Sequence, residues 1–215
     1  MESDRHPALR LKSPQDVAED SELSRDPELA LLVALERAGI EVAPYRVVPA
    51  AAEEAFYRLN NLPDQLRSLY AGVDPLDPDE DDLEELAPKA GRLVMTHYLL
   101  DEFIDAFYDQ TKGLPGRLQL RRSGSADVTL AAGGRPALLA LKRIWAADWR
   151  PQAVMARLAS ERSIALAARA VIVQPEGLLS ADDALVERVQ SIVNARVSIA
   201  VAPRLGVTHL AVGPP

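Results

Sequence analysis

The sequence predicts a mixed α+β fold: a helical N-terminal half, then a C-terminal half with a small mixed β-sheet (a hairpin plus a βαββ unit) flanked by helices. Three observations carry this. Apolar residues recur at helical spacing up to about residue 111. After residue 115, short β-rich runs alternate with Gly and Ser punctuation. The last 46 residues read strand, helix, strand, strand, the order of a right-handed parallel crossover closed by a hairpin.

Residues 1–26 are rich in Ser, Asp, Glu and Pro and lack periodic apolar content. Such a segment buries too little to offset its ordering entropy, so a disordered acidic arm is expected. Asp26-Pro27 opens a helix, as N-cap and first-turn proline, with Leu29, Leu32, Ala34 and Leu35 on its apolar side and Gly39 at its end. Residues 40–42 and 45–48 read as extended, interrupted by Pro44. Residues 50–59 form a helix, and Leu62-Pro63 restarts one through Leu66, Leu69 and Tyr70 to Gly72.

The acidic run 74–85 contains Pro75 and Pro78 and reads as a solvated loop within a helical region spanning 27–111. Its functional alternative is an intramolecular mask over basic residues further on. Residues 92–110 read as one helix, with Leu93, Leu100, Ile104 and Phe107 along one stripe and Gly113 and Pro115 closing it.

Residues 112–215 form an α/β region packed with 27–111 as one domain. Strands 117–122 and 127–131 make a hairpin around 123–126. Pro136 starts a helix through Leu138, Leu141, Ile144 and Trp145, and Pro151 starts another over 154–168. A helix-turn-helix over 152–170 lacks the usual glycine turn, and one continuous helix is simpler. Strand 170–173 follows. Then comes a helix capped by Ser180, with Leu185, Val189, Ile192 and Val193 as its core face, and strands 197–201 and 207–212.

Charge reverses along the chain. Residues 1–111 carry 10 Lys+Arg and 25 Asp+Glu, residues 112–169 carry 11 and 3, and residues 170–215 carry 3 and 4. The modest total of −8 therefore hides blocks of −15 and +8. Opposed blocks of this size point to a partner, inside the molecule or outside it. Apolar residues make up 48% of the chain, enough for a buried core, but aromatics only 5%, so Leu, Val, Ile and Ala must build it. The absence of cysteine excludes disulfides, thiolate metal sites and a cysteine nucleophile. No run approaches the roughly 18 apolar residues of a membrane helix, and residues 1–27 lack a signal-peptide core. A cytoplasmic protein without membrane attachment is expected, and the Ala, Arg, Leu and Pro usage suggests a GC-rich bacterial genome.

Two constellations could carry chemistry. His97, Asp101 and Asp105 are spaced by four and would stack on one helical face, able to hold a divalent metal or act as an acid–base pair. The plainer reading is an acidic solvent face with an edge histidine. The second is basic: Arg117, Arg121, Arg122, Arg135, Lys142, Arg143 and Arg150, near Trp145 and Trp149, with Arg157, Arg162 and Arg169 beyond. Nine of the eleven cations in 112–169 are arginine, which suits bidentate contacts to phosphate. Against this stand the low pI of about 5.0 and the placement of Trp145 on an apolar helical side. Gly133-Gly134-Arg135 could cradle an anion, though a strand-to-helix turn needs glycine anyway. His6 and His209 have no evident partner, and no catalytic or nucleotide-binding motif places the chain in a family.

These readings favour a non-enzymatic interaction or adaptor protein with opposed acidic and basic surfaces, using a protein partner or self-association as a homo-oligomer, and no cofactor. The alternatives are nucleic-acid binding by the arginine-rich 117–169 block and a metal-dependent hydrolase centred on His97.

Overall fold

The computed structural model describes residues 10–165, 167–180 and 182–212. In chain order these form α1 (Pro14–Glu19), a 3-10 turn (Leu23–Arg25), α2 (Pro27–Arg37), β1 (Arg46–Val48), α3 (Ala50–Leu59), α4 (Leu62–Leu69), α5 (Glu80–Thr96) and α6 (Asp101–Thr111). Then follow β2 (Leu118–Arg122), β3 (Thr129–Ala131), α7 (Arg135–Ala147), α8 (Pro151–Glu161), β4 (Val171–Pro175), β5 (Leu178–Leu179), α9 (Asp183–Val193), β6 (Val197–Ala202) and β7 (Gly206–Val212). The fold is α+β, with two small antiparallel sheets ordered β1-β4-β2-β3 and β5-β6-β7.

The expected hairpins form: Leu118 faces Ala131 across β2–β3, and Val197 faces Val212 across β6–β7. The parallel crossover does not. Strand β4 pairs antiparallel with both β1 and β2 in the first sheet, and β5 opens the second. A β-branched run has the same composition in either sheet type. Its partner strand β1 lies more than a hundred residues upstream, beyond the reach of local pattern.

The acidic arm is a second correction. Residues 10–26 of this stretch are folded onto the rest of the chain; residues 1–9, with His6, lie outside the described ones. Ser13 and Asp16 cap α1 reciprocally, the Ser13 amide donating to Asp16 at 2.7 Å. Leu11, Val17 and Leu23 are buried, the last two among Leu29, Leu32, Tyr45, Val47 and Ile172. Three separated apolar residues suffice because other elements supply the rest of that core.

Helix 92–110 is two helices. The acidic run's second half forms the first turn of α5, where Asp79 caps and Glu80, Asp81 and Asp82 suit the positive end of the helix dipole. The helix stops at Thr96, and residues 97–100 break the line before α6. Lys142 Nζ from α7 donates to Met95 O (2.8 Å) and His97 O (2.5 Å), so these carbonyls are satisfied without further helical turns. Likewise α8 ends at Glu161, with Arg162 left-handed at φ 52°, short of the expected 168.

The main core joins α3–α8 to one face of the first sheet, through Leu118, Leu120, Val171 and Val173. The opposite face of β2 carries Gln119 and Arg121, and it meets α2 and β7 instead. Strand β2 is thus buried on both faces.

The β6–β7 turn is fixed by Gly206. Its φ is +97°, and a Cβ there would sit 2.2 Å from Glu41 O. That carbonyl accepts from Val207 N at 2.8 Å. Gly206→Ala is expected to cost about 1–3 kcal/mol, read by urea unfolding. An unchanged midpoint would show that the 41–43 segment yields freely.

Candidate functional site

The basic block divides by burial. Arg121 is fully buried, and Arg122 is 5% exposed. Being consecutive in a strand, they point to opposite sheet faces, and each meets carboxylates there. Arg121 Nη1 donates to Glu28 of α2, and its Nη2 to Thr208 O at 3.2 Å. Glu28 also accepts from Gly124 N at 2.8 Å and lies 3.0 Å from His209 Nδ1. That nitrogen carries the proton, because a carboxylate only accepts. Burial would raise Glu28, but the hydrogen bonds from His209 and Arg121, with the charge of Arg121, outweigh it and hold the carboxyl down at about 2.

Arg122 grips Glu53 of α3 with both terminal nitrogens, at 2.5 and 2.7 Å. It also donates to Asp148 and, at 2.7 Å, to Arg169 O. Arg169 Nη2 reaches Asp148 at 3.5 Å, so two arginines meet two carboxylates. Burial and the nearby Asp148 push Glu53 upward despite Arg122. Burial acts to lower Arg122, but its two carboxylates overcome it and keep the guanidinium charged.

The predicted phosphate groove is therefore corrected at three of its seven positions: Arg121, Arg122 and Lys142 are buried. Arg135, Arg143 and Arg150 remain exposed, as does Arg117, which has only a 3.8 Å contact to Glu176. Trp145 is core, as its helical position implied, against Phe56 at 5.1 Å. At Gly133-Gly134-Arg135 the conformational reading accounts for the glycine, since Gly134 takes φ +73° at the helix N-cap.

The His97 face is corrected as well. His97 ends α5, while Asp101 begins α6, so the helical spacing of four does not apply between them. Its Nδ1 lies 2.6 Å from Leu93 O and carries the proton, leaving Nε2 to the Gln65 amide at 3.4 Å. Neither nitrogen is left to ligate. Among the described residues no group of three His, Asp or Glu could hold a metal ion.

Sequence reasoning missed a cleft of about 540 Å³ between α3, α4, residues 163–165 and Ala168. Tyr57, Leu66, Trp149 and Ile164 line it, with Glu54 and Arg58 at the mouth. Trp149 Nε1 donates to Tyr57 OH at 2.8 Å, and Arg157 stacks 4.9 Å from the Trp149 ring, so both aromatics are held in place. Burial, reinforced by Glu53, raises Tyr57, which stays a neutral phenol. Glu53 borders the cleft, but both its oxygens are occupied by Arg122. The arrangement suits an apolar, uncharged group better than proton transfer. Glu53, Tyr57 and Leu66 gave no signal beyond helical periodicity, while the arginine–tryptophan proximity had pointed to Trp149.

No protein-family model matches the chain, and no curated protein matches it. Among the described residues no helix is long and apolar enough to cross a membrane.

Proposed function

We propose that this chain is a non-enzymatic interaction protein that receives an apolar group of its partner in the α3–α4 cleft. The cleft itself carries the reading: its volume is that of a ligand site, its walls are mostly apolar, and its aromatics are pre-positioned. The two charge blocks meet within the chain at two points, where Glu28 of α2 and Glu53 of α3 neutralise Arg121 and Arg122.

Titration with anilinonaphthalene sulfonate is expected to give saturable, one-site fluorescence enhancement. Ala165→Trp, at an exposed cleft residue, is expected to abolish it without changing the melting temperature. Enhancement that survives this filling, or none in the wild type, would sink the proposal.

A second reading, nucleic-acid binding, draws on the arginines still at the surface. Arg135 and Arg143 lie two turns apart on α7, with Arg150 beyond its end. A labelled duplex would then bind with affinity falling steeply as salt rises. Equal binding by the Arg135→Ala/Arg143→Ala variant would remove that reading.

A further inference from the structure

Three exposed apolar residues surround a second, smaller cavity on the other flank of α3. Tyr98 is 88% exposed, Leu59 58% and Leu100 42%. The cavity, about 240 Å³, is floored by the buried rings of Phe56 and Phe103. On the helical wheel of α3, the residues facing it (Ala52, Phe56, Leu59 and Asn60) lie roughly opposite those facing the first cleft.

The main chain at Tyr98 is held in place, while its side chain is bare. Asn60 Nδ2 donates to Tyr98 O at 3.1 Å, and Lys142 fixes the carbonyls of Met95 and His97 just before it. The fold gains nothing from the exposed ring. A bare aromatic on a fixed backbone beside an apolar hole is the form of an interface anchor, because the main chain there has little freedom left to lose on binding.

Charge selects the occupant. Residues 93–111 contain Asp101, Glu102, Asp105 and Asp109 but no Lys or Arg. Asp101, Glu102 and Asp105 are exposed beside Leu100, and none has a cation within 4.0 Å among the described residues. With these three exposed acids against Arg58, the exposed cation of α3 next to Leu59, anionic lipid and nucleic acid are disfavoured. A second copy docked about a two-fold axis would bring a second set of the same acids into the interface with no basic segment to match them.

We infer that this face docks a cationic amphipathic segment of a partner protein. One apolar side chain of that segment enters the cavity beside Tyr98, and its flanking Lys or Arg residues meet Asp101, Glu102 and Asp105. Together with the α3–α4 cleft, this gives the chain two docking faces.

A synthetic helical peptide with a leucine face and a lysine face is the probe, titrated by fluorescence anisotropy. Binding is expected, with Tyr98→Ala weakening it about 30-fold. Asp101→Lys/Asp105→Lys and an analogue with glutamate for lysine are each expected to lose most of it. Ala165→Trp, which fills the first cleft, is expected to leave it unchanged. The inference is overturned by no binding to the wild type, equal binding to Tyr98→Ala, or equal binding of the glutamate analogue. Loss in Ala165→Trp overturns it too, while sparing the cleft. Sedimentation showing a dimer that Tyr98→Ala dissolves would assign the face to a second copy. Anionic vesicles bound by the wild type but not by Tyr98→Ala would assign it to lipid.

Discussion

Arg122→Met is expected to lower stability by about 3–5 kcal/mol, the usual result of removing one partner from a buried ion pair. Glu53 is only 1% exposed, and Asp148 is 9%. Without Arg122 the first loses both its side-chain donors, and the second keeps only the longer contact to Arg169. For a domain of this size the loss corresponds to a fall of roughly 6–20 °C in melting temperature. Glu53→Leu/Arg122→Met removes both charges and is expected to regain part of the loss, because no orphaned carboxylate remains at position 53. A variant Arg122→Met melting with the wild type would mean that water or another cation reaches Glu53. Should that variant not fold at all, a folded double variant with a higher melting temperature still tests the account.

These buried arginines mark where local pattern fails. The hairpins around 123–126 and 203–205, the Asp26-Pro27 cap and the core position of Trp145 depend on residues a few places apart, and all were legible. Arg121 and Arg122 read as surface residues because arginine usually is one. Glu28 lies 93 residues from Arg121, and Glu53 and Asp148 lie 69 and 26 residues from Arg122. A faint signal existed: two consecutive arginines break the alternation that Leu118 and Leu120 begin, so no register can place both on a solvent face. The split at residues 97–100 was hidden differently. Leu93, Leu100, Ile104 and Phe107 keep helical period straight across it, and Lys142, which satisfies the carbonyls there, is 45 residues from His97. The α3–α4 cleft depends on where α8 stops and how the chain returns to β4. Neither is written in periodicity.

The second large effect is a loss of stability in acid, centred on Glu28. Its carboxyl is held at about 2 against an ordinary value of 4.5. A carboxyl depressed in the folded state contributes stability that is fully present above its unfolded value. That stability is lost as pH falls through 4.5 toward 2. The shift corresponds to about 3 kcal/mol. Asp16, lowered by its bonds to Ser13, acts in the same direction. Glu53 acts in the other, since a carboxyl raised by burial is protonated more readily in the folded state than in the unfolded one. The net curve is therefore a sum of opposed contributions. Glu28→Gln separates the contributions: it is expected to lose about 3 kcal/mol at pH 7, and its urea midpoint is expected to fall less than that of the wild type between pH 5 and pH 2. Wild-type and Glu28→Gln midpoints falling in parallel over that range would show that the Arg121–Glu28–His209 cluster does not control acid unfolding.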